Sequence, residues 1–252
     1  MMIFNVLILT LNFFVFFICL LVFRKVRKIH NYRIEHVVRQ SVNNMFVQVE
    51  SLIGLYNDLD LEKSLPKTRG WAGSPDFLMF IAKTAQKNKP RTIIECSCGV
   101  STIALAQSLK LCGQGHVYSL EHEPKFAELT REELERHDLK DWATIIDAPL
   151  VKHQIHAQEW VWYSLESLPK NIEADLIVID GPPKTIGYLA RYPAGPCLFC
   201  MLSERGVVIV DDTSREDEQE IIKMWKNEYS KVNITYFQLE KGCCLLSFDA
   251  VD

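Results

Sequence analysis

Arg91–Leu105, RTIIECSCGVSTIAL, decides how this chain folds. A short apolar run ends in an acid, Glu95; a turn rich in Cys, Ser and Gly follows; an apolar helical pattern begins at once. That order predicts a strand, a tight ligand-type loop and a helix N-terminus, the opening unit of a doubly wound α/β sheet. A second strand, within HVYSLEHE (His116–Glu123), ends in another acid, Glu121, about one βα unit downstream. Ligands bind such sheets outside the carboxyl ends of the strands, so Glu95, the Ser97–Gly99 turn and Glu121 are expected along one crevice. A carboxylate at the second strand end suits a ribose diol, because it accepts from two hydroxyls at once. The loop lacks the GxGxxG spacing of a nicotinamide site.

The alternation continues downstream. Helices are expected over Ser101–Leu109 and Pro124–His137, and strands over Val117–Leu120 and Ala143–Ile146. A less regular stretch rich in Trp and His follows, Leu150–Ser167. Strand Leu176–Ile179, a helix ending near Leu202, strand Val207–Val210 and helix Arg215–Glu228 come next. Two β-rich runs, Val232–Phe237 and Cys243–Phe248, are joined by a turn at Glu240–Gly242 and close the chain as a hairpin. The expected fold is α/β: a doubly wound, mostly parallel seven-stranded sheet with a C-terminal antiparallel hairpin.

With these elements in order, ECSCGVST (Glu95–Thr102) resembles the E-x-G-x-G-x-S-T loop of class I S-adenosylmethionine (SAM)-dependent methyltransferases. The resemblance runs from about Trp71 to Phe248. It implies SAM as cofactor, held by Glu95, Ser97, Gly99, Ser101, Glu121, Asp147 and Ala148. Glu95 would face the methionine ammonium, the helix start at Ser101 its carboxylate, Glu121 the ribose and Asp147 the adenine. DLIVID (Asp175–Asp180) and GVVIVDD (Gly206–Asp212) resemble the family's fourth and fifth strands, making Asp180 and Asp211 the expected catalytic residues. Ser97 departs from the pattern, standing where the family has its first glycine. An L side chain is disfavoured at positive φ, which leaves open a second reading: a membrane-tethered binding or assembly subunit with a degenerate cofactor loop.

Asp180, Asp211 and Asp212 end adjacent strands, so their carboxylates should converge. Oxygen-rich clusters suit Mg²⁺ or Mn²⁺, and metal-dependent catechol-type O-methyltransferases show a similar pattern. A metal at Asp180, Asp211 and Asp212 is therefore one expectation; the other has Asp212 capping the next helix and Asp180 acting as a base. Arg191-Tyr192-Pro193 follows the fourth strand where an acceptor would bind, and an arginine there can grip a carboxylate or phosphate. Trp160, Trp162 and Tyr163 are candidates for the wall of the acceptor pocket. The acceptor class implied is a small molecule or glycan.

Composition sets the outer limits. Hydrophobic residues at 48% and charged residues at 24% exclude a disordered chain. A net charge of -4 gives no footprint for nucleic acid. Met1–Phe23 carries no charge and is followed by RKVRK (Arg24–Lys28). About 20 apolar residues suffice to cross a bilayer, and basic residues after the span favour a cytoplasmic domain. Residues 1–23 are thus expected as a single-pass membrane anchor, 24–70 as an amphipathic helix and linker, and 71–252 as the catalytic domain. From Ile29 to about Leu61 apolar residues recur at helical spacing, with a break expected near Gly54. That helix packs on the domain, pairs with its copy in a homodimer, or lies along the membrane. Glu62–Arg69 reads as linker, and Ser74-Pro75 as a helix start with Ser as N-cap. The eight cysteines fall mostly in apolar patterns and read as buried thiols, although Cys197 and Cys200 have zinc-pair spacing.

Overall fold

The structure is a computed structural model and describes residues 2–248, except for the side chains of residues 2–8 and 11. It divides into two units, one ending at Val47 and one beginning at Gln48. The first unit is a stretch of helix α1 (Met2–Asp58), which runs on without a break at Gly54. There a Cβ would lie 2.3 Å from Met79 Cε, so the glycine serves close helix packing rather than a kink. The apolar residues Ile34, Val37, Val38, Val42 and Met45 are all exposed. Among the described residues no helix is long and apolar enough to cross a membrane. The expected span Met1–Phe23 falls partly outside them.

The second unit holds the sheet. Its elements are α2 (Pro75–Asn88), β1 (Thr92–Cys96), α3 (Val100–Cys112), β2 (His116–Glu121), α4 (Pro124–Arg136) and β3 (Ala143–Asp147). These are followed by β4 (Leu150–Ile155), β5 (Gln158–Tyr163), β6 (Ala174–Ile179), α5 (Ala194–Leu198), β7 (Leu202–Asp211), α6 (Glu216–Glu228), β8 (Val232–Phe237) and β9 (Cys243–Phe248). The seven-stranded sheet has the order β3-β2-β1-β6-β7-β9-β8. The first five of these strands are parallel, and β9 runs antiparallel to both β7 and β8. This is the expected doubly wound sheet with its terminal hairpin. The strand order reverses between β1 and β6, where such sheets open a crevice.

The central strands are continuous apolar runs because helices cover both faces. Ile93 and Val178 pack with Phe77, Ile81 and Leu105 on one side. Ile94, Ile177 and Val210 pack with Trp162, Phe199 and Trp225 on the other. Leu55, in the last turn of α1, and Leu59, just past it, are fully buried in the first of these cores. Ser74 precedes α2 with Pro75 first in the helix, but its hydroxyl donates to Asp76 Oδ1 at 2.6 Å, and that oxygen takes the Phe77 N–H.

Two expectations need correction. Leu150–Ser167 is not irregular: β4 and β5 form a separate antiparallel hairpin. Its turn residues, His156 and Ala157, both have positive φ (48° and 63°), yet neither is the Gly or Asn that signals such a turn. The helix expected to end near Leu202 stops at Leu198, passes through a 3₁₀ turn at Phe199–Met201, and β7 begins at Leu202. Among the described residues, Cys197 and Cys200 join no potential metal cluster.

Candidate active site

A cleft of about 890 Å³ opens at the carboxyl ends of β1, β2, β6 and β7. Small-molecule sites fall in the same size range, about 300–1,000 Å³. Its floor is the loop after β1. Ser97 holds φ at +100°, and its N–H donates to Leu120 O at 2.9 Å. Gly99 lies at φ +139°, and no atom comes within 4 Å of where its Cβ would stand. Backbone is thus open to a ligand at Gly99, where a side chain would be both strained and intrusive. Ser101, in the first turn of α3, also lines the cleft.

Glu95 lies beneath this loop, wholly buried and away from the cleft surface. Its Oε2 accepts from Thr102 Oγ1 (2.6 Å) and Ser119 Oγ (2.5 Å), while Thr102 Oγ1 in turn accepts from the Gly99 N–H (3.1 Å). The acid therefore braces the loop from below. Its Oε1 has no hydrogen-bond partner. Burial pushes the Glu95 carboxyl up to about 7, and the hydroxyls of Ser101, Ser119 and Thr102 oppose that rise.

Glu121 ends β2 and faces the cleft. Its Oε1 accepts from the Glu123 N–H at 2.9 Å and lies 3.1 Å from His122 Nδ1. His122 sets its ring edge against Tyr163, and both line the cleft. Asp147 and Ala148 do not. Asp147 is exposed and ion-paired with Arg131 of α4 at 2.7 Å, whereas Ala148 is buried and donates its N–H to Glu121 O. They support the end of β2 from its neighbour and form no part of the cleft wall. Of the expected aromatic wall only Tyr163 reaches the cleft; Trp160 and Trp162 do not.

The three aspartates meet as expected, with ligand atoms within 4.8 Å of one another. The cation among them was not expected. Arg191 Nη2 donates to Asp180 O (2.6 Å), Asp180 Oδ1 (3.2 Å) and Asp212 Oδ2 (2.8 Å), and Nη1 donates to Asp211 O (3.1 Å). Arg215 Nη1 reaches Asp212 Oδ2 at 2.8 Å from the other side. A divalent ion bridging Asp180 and Asp212 would have to displace a buried guanidinium already held by both. The donor set therefore does not fit Mg²⁺ or Mn²⁺: its positive charge is built into the chain. Nor is Arg191 free to grip an acceptor, since its fork is spent on strand ends.

Electrostatics follow from this packing. Burial pushes Asp180 up to about 6, with Arg191 pulling down and Asp212 pushing up. Asp211, whose two carboxylate oxygens find no partner, is pushed well above the usual carboxylate range by burial and by Asp180 and Asp212. Burial alone would lower the pKa of Arg191, but Asp180, Asp212, Glu218 and Asp211 outweigh it and hold the guanidinium charged. Asp211 is the buried acid behind the site, and Asp180 and Asp212 line it. The cleft also includes Lys67, Trp71 and Lys241, none of them an expected site residue; the folded chain brings them to the site.

Residues 94–213 match a family model described as a methyltransferase domain. No curated protein matches the chain in sequence. Among solved structures, the fold is similar to an O-methyltransferase from Bacillus cereus in complex with SAH (19% identity, TM-score 0.58, covering 82% of this chain and 97% of that one). It is similar too to the O-methyltransferase TomG from Streptomyces achromogenes in complex with SAM (15% identity, TM-score 0.55, 81% and 89% covered). A third likeness is to SAH-bound methyltransferase PaMTH1 of Podospora anserina (16% identity, TM-score 0.53, 79% and 88% covered). Residues 94–213, from β1 to just past the end of β7, thus match a methyltransferase domain, and these solved structures share the fold around the β1–β6 crevice.

Proposed function

We propose that the chain binds SAM in this cleft and transfers its methyl group to an oxygen of a small or glycan-type acceptor, at the cytoplasmic face of a membrane. The observation that carries the reading is that the Ser97–Gly99 backbone, Glu121 and Asp180, from three adjacent parallel strands, line one cleft. The residues suit the cofactor. Glu121 offers a carboxylate to a ribose diol. Gly99 leaves open space, and the first N–H groups of α3 suit a carboxylate. Glu95 places an unpartnered buried oxygen under the loop, able to carry a negative charge toward a cation above it. Asp147 has no place in this reading; His122 and Phe126 line that part of the cleft instead.

When bound, SAM supplies a methyl group on a sulfonium and leaves as the neutral thioether. The chain's own task is to hold the acceptor in line and take its proton. Asp180 is placed for the second role, because a carboxyl with a pKa of about 6 is ionised at neutral pH and still basic enough to accept a hydroxyl proton. Arg191 and Arg215 fix the carboxylates of Asp180 and Asp212 and balance their charge. The tether is supported by the exposed apolar side chains Phe13, Phe16 and Phe23 and the basic residues that follow at Arg24–Lys28. The exposed stripe at Ile34, Val37 and Val42 is available to a second copy.

Titration of the full chain in detergent with SAM tests the reading, and Glu121→Ala should weaken binding by roughly 1–3 kcal/mol. Unchanged affinity in a folded Glu121→Ala chain would remove it. Binding without turnover on any acceptor would favour the degenerate binding subunit instead.

A further inference from the structure

On the β7 side of the cleft, the turn between β8 and β9 is locked to the residues that follow the paired aspartates. Ser214 N–H donates to Lys241 O at 3.0 Å, and Thr213 N–H donates to Gly242 O at 3.2 Å. Gly242 has φ +74°, and a Cβ there would stand 2.6 Å from Ser214 Oγ, so this approach admits only glycine. From the other side, Glu240 N–H donates to Asp76 Oδ2 at 2.7 Å, and the Glu240 carboxylate pairs with Arg69 at 2.6 Å. Lys241 is therefore held on a rigid support beside the end of β7.

Its side chain is fixed as well. Nζ donates to Ala72 O at 3.0 Å and Gly70 O at 3.3 Å, both in the segment that lines the cleft ahead of α2. An ammonium has three donors, and two here are spent on neutral carbonyls. Among the described residues no carboxylate lies within ion-pair distance of Lys241. The other cations on this side are neutralised: Arg191 and Arg215 by the aspartates and Glu218, and Lys184 by Asp217 at 3.1 Å. Lys67, which also lines the cleft, likewise has no acidic partner within ion-pair distance among the described residues. Two unmatched positive charges thus share a cleft with Asp180. Glu121, Glu123 and Glu133 also line the cleft, so the positive field is local to these lysines, and an ammonium without a paired carboxylate attracts an anion to its own end of the cleft.

We infer that Lys241, with Lys67, forms an anion subsite beside Asp180, so that the methyl acceptor is a hydroxyl compound carrying a carboxylate or phosphate group. The inference rests on the methyltransferase reading above and names the acceptor class for that same cleft. The anion docks on the third N–H of Lys241 and brings its hydroxyl toward Asp180. Trp71, 76% exposed on the same segment as Gly70 and Ala72, offers an apolar face to the body of the acceptor.

The test is calorimetric titration of the full chain, first with SAH and then, saturated with SAH, with matched pairs of probes. The pairs are glucuronate and glucose, glucose 6-phosphate and glucose, and 3,4-dihydroxybenzoate and catechol. In at least one pair the anion should bind about tenfold more tightly than its neutral partner, a margin ordinary for one charge-assisted contact. Lys241→Met should abolish that preference, Lys241→Arg should retain most of it, and SAH affinity should stay within about twofold. The carboxylate and phosphate pairs show which group the subsite prefers. Equal affinity for charged and neutral probes in every pair overturns the inference, as does a preference that survives Lys241→Met. Anion binding seen only without SAH would overturn it too, by giving the lysine to the cofactor's own carboxylate. Failure of SAH itself to bind removes the methyltransferase reading instead, so the two failures are distinct.

Discussion

Arg191 Nη2 and Asp212 Oδ2 lie 2.8 Å apart, with side chains only 4% and 3% exposed. The same nitrogen also reaches Asp180, so a single guanidinium ties the end of β7 to the end of β6. Breaking a buried ion pair by removing one partner strands the other charge and typically costs about 3–5 kcal/mol. Arg191→Ala should therefore destabilise the chain by roughly that amount in chemical denaturation. The double variant Arg191→Ala/Asp212→Ala should lose less than the sum of the two single losses. Additive losses would show that the pair is not energetically coupled.

Because the guanidinium occupies the place between Asp180 and Asp212, chelation should leave turnover unchanged. Dialysis against EDTA followed by Mg²⁺ or Mn²⁺ is the direct measurement. A fall in rate on chelation, restored by either ion, would show that Arg191 yields its place to a metal.

The acid limb of the pH–rate profile should report Asp180. A base must be deprotonated to act, and burial raises this carboxyl from 3.8 to about 6. Turnover should rise with pH through about 6 and level off above it. Asp180→Asn should lower kcat by roughly 10²–10⁴ while leaving SAM affinity within a few fold, in line with loss of a positioned base. A flat profile from pH 5 to 8 would exclude this assignment.

Glu95 gives a different signature. Its folded pKa, about 7, lies above the ordinary value of 4.5, so the folded chain binds the proton more tightly than the unfolded chain. The stability this contributes is complete below about 4.5 and is lost as pH rises toward 7. Denaturation of the SAM-free chain should show that decline, and Glu95→Gln should flatten it. A cationic ligand above the loop favours the ionised acid, so SAM binding near pH 6.5 should release a proton. Calorimetry in buffers of different ionisation enthalpy measures that proton directly.

Ser97 holds φ +100°, where a side chain is disfavoured. Ser97→Gly should stabilise the chain by about 1 kcal/mol without weakening SAM binding. A stability loss would mean that the serine hydroxyl makes a contact worth more than the strain.

The sheet and the floor of the cleft were legible because buried parallel strands spell themselves as apolar runs. TIIEC, HVYSLE, DLIVID and GVVIVDD each carry an acid within one residue of the strand end, and their order alone places Glu95, Glu121, Asp180 and Asp211 at one edge. What was not legible depends on contacts made far along the chain. Arg191 could be placed near the acceptor but not assigned its partners, because its fork is filled by residues 11 and 21 positions away. Lys241 enters the site through carbonyls 171 and 169 positions earlier, and no local pattern marks it. Asp147 has the expected residue type at the expected strand end, but Arg131 on the neighbouring helix takes its carboxylate. The β4–β5 hairpin has no sequence signal, because His156 and Ala157 turn the chain where a Gly or Asn would mark it.

A positive charge carried on a side chain differs from a bound ion in what it can select. A divalent ion with open coordination positions can chelate two neighbouring hydroxyls together, and so rewards a vicinal diol. Arg191 is saturated by the strand ends and has no open coordination sphere to share. Under the proposed chemistry, a lone hydroxyl should serve as well as a pair, and the choice of which oxygen is methylated passes from chelation to the shape of the cleft. Under that chemistry turnover should also be indifferent to the supply of divalent ions around the protein.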